Sequence, residues 1–273
     1  MNQQFGLIIV GDEILSGKRS DKHLSKVIEL LTARGLSLSW AEYVGDEPDR
    51  ITSVLKRAFA SGDVVFSTGG IGATPDDHTR QCAARALGVP LQLHAQAEAL
   101  IRERMQDMAR EQGQVYEPDR PEHVHRLNMG VFPEGAEIIP NPYNKIPGFS
   151  CAGALAGSVH FVPGFPVMAW PMIEWILDTH YAHLFRAMAA TEHSVIVYAG
   201  LEATLTPLML AIESSHPEVR VFSLPSVDHP EHGRHIELGV KGPAELVSAA
   251  WSELLAGLHQ HGAKLGPEMV RNL

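Results

Sequence analysis

Apolar and polar residues along this chain change their spacing repeatedly, and those changes predict an α/β fold. Phe5-Gly6-Leu7-Ile8-Ile9-Val10 is a continuous apolar run stopped by Gly11, the pattern of a strand buried on both faces. From about Ser20 to Arg34 the spacing turns helical, with Leu24, Val27, Ile28 and Leu31 on one face and Gly35 as the stop. Leu36 to Val44 reads as a second strand. Asp49 to Ala60 reads as a second helix, because Ile51, Val54, Leu55, Ala58 and Phe59 share one face. A third strand over Asp63–Ser67 is followed by a glycine-rich loop and a helix from about Asp76 to Leu87. Strands alternating with helices in this way predict a mostly parallel sheet with helices on both faces, three layers in all.

Further along, a helix is expected over about His94 to Gln112. Residues 113–135 are polar and proline-rich and read as a long excursion. Short strands fit Glu137–Ile139 and Val159–Val162, with turns over Asn141–Phe149 between them. Pro163-Gly164-Phe165-Pro166 opens a helix to about His180. Ala187–His193 reads as a linker, so residues 1–186 and 193–273 are expected as separate domains. The second is a small α+β unit: strand Ser194–Tyr198, helix Thr204–Ser214, strands Val219–Leu224 and Ile236–Val240, and an amphipathic helix Pro243–His259.

Charge narrows the partners. Lys+Arg 22 against Asp+Glu 32 gives a net charge of −10, without the basic footprint that nucleic acid or an anionic membrane requires. The two cysteines, Cys82 and Cys151, have no metal or redox spacing, and Cys151 reads as a buried thiol. No signal peptide or membrane span is visible, so a cytoplasmic protein is expected.

The chemistry gathers in loops after the strands, where open α/β sheets bind ligands. Gly11-Asp12-Glu13 follows the first strand, Gly45-Asp46 the second, and Thr68-Gly69-Gly70-Ile71-Gly72-Ala73-Thr74-Pro75-Asp76-Asp77-His78-Thr79 the third. Three glycines in four positions let backbone N–H groups approach an anion. The run is neither a dinucleotide fingerprint nor a Walker A loop. Asp76 and Asp77 either cap the following helix or act on a ligand. Capping explains one of them readily and both less well. Thr68, Thr74 and Thr79 offer hydroxyl donors, or are ordinary turn residues. Asn141 and Gly148 read equally as turn residues or as contacts to a base or sugar. The histidines at 123 and 125, and at 229, 232 and 235, read as solvated loop residues rather than metal ligands.

In this order, Gly11-Asp12-Glu13-Ile14-Leu15-Ser16-Gly17, Val44-Gly45-Asp46, the glycine-Asp-Asp-x-Thr run, Pro133-Glu134-Gly135-Ala136, Asn141, Pro147-Gly148-Phe149 and Pro163-Gly164-Phe165-Pro166 resemble the CinA-type branch of the molybdopterin-binding (MoCF) family. The resemblance covers about residues 5–180, and the amidase domain of full-length CinA proteins is not expected here. It implies a phosphorylated small-molecule ligand, a dinucleotide or a pterin, and a homo-oligomer. It implies divalent-metal-dependent cleavage of a nucleotide pyrophosphate such as ADP-ribose or FAD. Asp46 and Asp77 would hold Mg²⁺, Mn²⁺ or Co²⁺, with Asp12 or Glu13 placing the attacking water. The alternative it implies is molybdopterin binding or adenylyl transfer without hydrolysis. The expected ligand contacts are Gly11, Glu13, Thr68, Gly69, Gly70, Gly72, Thr74, Asp76, Thr79, Asn141, Gly148, Pro163 and Gly164. Ile71-Gly72-Ala73 stands where Leu-Gly-Pro is usual in the family.

Overall fold

The computed structural model describes residues 3–185 and 190–272. The chain divides into two compact units, one ending at Phe185 and the other holding the described residues from 190 on.

The first unit runs β1 (Phe5–Val10), α1 (Asp12–Leu15), α2 (His23–Thr32), β2 (Leu38–Val44), α3 (Pro48–Ser61), β3 (Val64–Thr68), α4 (Thr79–Leu87), β4 (Leu91–Leu93), α5 (Ala95–Glu111), α6 (Pro121–Arg126), β5 (Val131–Pro133), β6 (Glu137–Ile139), β7 (Gly148–Ala152), β8 (Ser158–Val162) and α7 (Pro166–His180). Its six-stranded sheet has the order β2-β1-β3-β8-β7-β6. The first four strands are parallel, and β7 and β6 continue the sheet antiparallel.

The continuous apolar run of β1 is explained by its two faces. Ile8 and Val10 enter a core with α3, α4 and Phe161, while Phe5, Leu7 and Ile9 enter a second core with α2 and α7. A side-chain period of two therefore serves two layers of helices with one strand. Phe132, Phe149 and Phe161 stack in series, with ring centroids 4.6 and 4.4 Å apart. They tie the two-stranded β4–β5 sheet to the antiparallel edge.

Several expectations need correction. The helix after the glycine loop begins at Thr79 rather than Asp76. Gly148 and Phe149, read as the end of a turn, open the strand Gly148–Ala152, in which Phe149 and Cys151 supply two inward positions. The polar excursion holds α6 and β5.

The second unit runs β9 (Ala190–Tyr198), α8 (Glu202–Ser215), β10 (Arg220–His229), β11 (Gly233–Pro243), α9 (Ala244–Gln260) and β12 (Lys264–Asn272). Its antiparallel sheet has the order β10-β11-β9-β12. Val195 and Val197 with Ile236, Leu238 and Val240 meet α8 and α9 in one apolar layer. On β11 and β9, Glu237 accepts from Ser194 and pairs with Arg271, which also holds Glu192. Of the expected linker, residues 187–189 lie outside the described residues and 190–193 belong to β9, where Glu192 has this ion-pair partner. Among the described residues no helix is long and apolar enough to cross a membrane.

Candidate functional site

The C-terminal edge of the parallel strands is closed by two backbone bonds. Gly11 N–H donates to the Val44 carbonyl across the ends of β1 and β2 (3.0 Å), and Gly69 N–H donates to Val162 across β3 and β8 (3.0 Å). With the order β2-β1-β3-β8, chain connections diverge between β1 and β3, the topological switch point where such sheets bind ligands. Gly69 lies against that point with φ +96°, and a Cβ there would stand 2.3 Å from the Val10 carbonyl oxygen. Gly70 has φ +68° and meets Thr79 in the same way, so both positions need glycine.

Thr79 folds the loop onto itself. Its hydroxyl donates to the Gly69 carbonyl (3.1 Å) and its N–H to the Gly70 carbonyl (3.0 Å). It is fully buried, as is Thr68. These two threonines, expected as ligand contacts, are spent on the loop and the sheet. The N–H groups of Gly70, Ile71, Gly72 and Ala73 have no acceptor among the described residues. Unspent amides on a glycine loop form an anion cradle.

The carboxylates group differently from the expected Asp46–Asp77 pair. Asp12 N–H donates to Asp46 (3.0 Å) and Asp46 N–H donates to Asp12 (3.2 Å), a reciprocal clasp between the loops after β1 and β2. Gly45 leaves room for it, since a Cβ there would meet the Asp12 carboxylate. Burial raises the Asp46 carboxyl above its usual range, and the charges of Asp12, Glu13 and Asp76 raise it further against the Asp12 backbone bond. Asp77 turns into its own loop, accepting from the Thr74 N–H (2.8 Å) and the Thr74 hydroxyl. Gly72 gives it the space, because a Cβ there would stand 2.5 Å from an Asp77 oxygen. Asp77 is therefore a loop staple rather than a helix cap, and Thr74 is its partner. Among the described residues no three His, Cys, Asp or Glu side chains are gathered to hold a metal. Asp46 is engaged with Asp12, and Asp77 with Thr74.

Of the more distant expected contacts, Asn141 is buried and committed to its own turn. It donates to Asn144 (2.8 Å) and to the Ile146 carbonyl (2.9 Å) and accepts from Tyr143 N–H (3.0 Å). Gly148 is a packing glycine of β7, with the Phe161 carbonyl 2.3 Å from where a Cβ would be. Pro163 and Gly164 do follow β8 at the strand-end face, and the Gly164 carbonyl accepts from His23 Nε2 (3.0 Å). Gly11, Glu13 and Asp76 lie at the same edge, with Asp76 exposed.

Sequence reasoning passed over Arg80 and Asn128 here, and read His125 as a solvated loop residue. Arg80, on α4 directly after the loop, is buried, and it donates one guanidinium N–H to the Gly72 carbonyl. His125 of α6 reaches the Ala73 carbonyl through Nε2 (3.0 Å), and Asn128 meets its Nδ1 (3.3 Å). Nε2–H donating to Ala73 leaves Nδ1 to accept from the Asn128 amide, one neutral tautomer serving both bonds. Thr74, Asp77, Arg80, Gln81, His125 and Asn128 line a cleft of about 430 Å³ beside the loop. No motif spacing joins residue 80 to 125, so only the tertiary fold shows the group.

A doubly wound α/β unit with a glycine loop at its switch point is thus the class that fold and site define. Residues 6–183 match the family described as probable molybdopterin binding domain, and the chain belongs to that family. A CinA-like protein of Anaeromyxobacter dehalogenans is 32% identical over 188 residues, covering 68% of this chain and 43% of the relative. The chain thus spans less than half the length of that CinA-like relative. A protein of Pyrobaculum calidifontis is 30% identical over 252 residues, covering 89% of this chain and 90% of its own. Among solved structures, the protein CinA of Thermoplasma acidophilum superposes with a TM-score of 0.55 at 26% identity, over 67% of this chain and all of that one.

Proposed function

We propose that the first unit binds a phosphorylated pterin of the molybdopterin type, with the phosphate received by the glycine loop. The observation that carries this reading is the set of four unspent N–H groups, Gly70 to Ala73, at the switch point of the sheet. Membership of the probable molybdopterin binding family supplies the pterin half of the reading. Loop amides are fixed dipoles already in position, so they hold an anion without reorganising. A panel of molybdopterin, ADP-ribose, FAD and NAD tests the reading by thermal shift and by product analysis, with and without divalent metals. Molybdopterin is expected to raise the melting temperature while the dinucleotides stay uncut. No shift with the pterin, together with turnover of a dinucleotide, overturns it.

One observation favours a second, hydrolytic reading. Asp46 has the raised carboxyl expected of a proton acceptor at a reacting site, with Asp12, Glu13 and Asp76 around it. Cleavage of ADP-ribose or FAD that is lost in Asp46→Asn and kept in Asp77→Asn would support it. Cleavage that survives Asp46→Asn rules this role out.

A further inference from the structure

The cleft beside the loop contains a buried guanidinium that no carboxylate among the described residues pairs with directly. Arg80 is 4% exposed, yet its Nε has no partner, and its one hydrogen bond goes to the neutral Gly72 carbonyl. Among the described residues it has no ion pair: Asp77 lies near enough for its charge to act on Arg80, but its carboxylate is turned onto Thr74. Removing a guanidinium from water without a paired anion is costly, and proteins retain such a group where something else completes it. The same side chain lines the cleft with Asp77, Gln81, His125 and Asn128, and the Gln81 and Asn128 amides bring neutral donors to an opening large enough for a small ligand group.

We propose that this cleft is an oxyanion subsite, in which Arg80 takes a phosphate or carboxylate group, with Gln81, His125 and Asn128 at its rim. Guanidinium bonds to such groups are charge-assisted and directional, and a phosphate or carboxylate would supply the ion pair that Arg80 lacks. Binding there also bears on the phosphate loop, since Arg80 and His125 hold the carbonyls of Gly72 and Ala73. The subsite stands on Arg80 and the cleft, and does not rest on the pterin reading.

Inorganic phosphate is the probe, titrated into the full chain and followed by calorimetry and ³¹P line broadening. Saturable binding is expected, weakened about tenfold or more in Arg80→Gln, the loss of one charge-assisted bond. His125→Ala, at the exposed rim, is expected to weaken it less while leaving the circular dichroism spectrum unchanged, so the subsite stays testable if Arg80→Gln fails to fold. Repeating the titration with a phosphorylated pterin present separates the two sources of the anion. Competition means that the cleft takes a group of the loop's own ligand, and additive binding means a separate ion. Absence of phosphate binding by the wild-type chain, or unchanged affinity in both variants, overturns the proposal.

Discussion

Acid should loosen the first unit through a histidine far from any ligand. His160 on β8 is 3% exposed, with Nδ1 2.7 Å from the Ser150 hydroxyl and Nε2 2.7 Å from the Tyr181 hydroxyl. Burial first, and the neighbouring His180 second, lower its pKa from 6.5 to about 3. The folded state then refuses a proton that the unfolded chain accepts. Stability is complete above the unfolded value and is lost as the pH falls from about 6.5 toward about 3. At roughly 1.4 kcal/mol per unit, a buffer at about pH 5 costs on the order of 2 kcal/mol, and the whole window about 5 kcal/mol. Urea unfolding of wild type and His160→Gln, followed by tryptophan fluorescence, reads the effect. Trp40, Trp170 and Trp175 all lie in the first unit, against Trp251 in the second. Every other titrating group is shared, so the difference between the two proteins isolates His160. That difference should change in the variant's favour by about 2 kcal/mol between about pH 7.5 and pH 5. A difference that stays constant with pH would refute the reasoning.

Other substitutions report on the loops. Gly69→Ala should destabilise by about 1–3 kcal/mol or more, from a left-handed backbone and the Val10 carbonyl in the way, read as a lower melting temperature. Asp46→Asn should stabilise the protein near neutrality, because the raised carboxyl disfavours the charged folded form. That gain should disappear in melts taken at falling pH, once the wild-type carboxyl takes up its proton. Asp77→Ala should cost about 0.5–1.5 kcal/mol by removing the acceptor of the exposed Thr74 N–H, and Thr74→Val should cost less, a contrast measured by denaturant unfolding. Cys82 and Cys151 are both buried, and burial pushes the Cys151 thiol up to about 12, so neither should react with a thiol reagent until denaturant is added.

The parallel core was legible because its signals are local. A two-sided apolar run such as β1, or the one-faced helix α3, announces itself within ten residues or so of sequence. The glycine loop was legible for a similar reason, since Gly69 and Gly70 stand where the backbone admits no side chain. Strands β4 and β5 have three residues each, too few for a period to show. β12 was not read at all: it holds Gly266 and Pro267, poor strand formers, and shifts register there. The roles of the acids were not legible, because Asp12 meets Asp46 across 34 residues and His125 meets Ala73 across 52. Adjacent Asp76 and Asp77 look equivalent in sequence, yet one faces solvent and the other turns back onto Thr74. That division comes from loop geometry alone.

Binding of a phosphorylated pterin, followed by its own fluorescence in the full chain, tests the phosphate loop most directly. The comparison is between the phosphorylated ligand and the same pterin without phosphate, each titrated into wild type and Gly70→Ala. In the variant a Cβ would stand 2.2 Å from the Thr79 hydroxyl that shapes the loop. Wild type should bind the phosphorylated pterin about tenfold or more tightly than the bare pterin, and Gly70→Ala should erase that difference. Equal affinity of wild type for the two pterins would contradict the assignment of the glycine loop as the phosphate site.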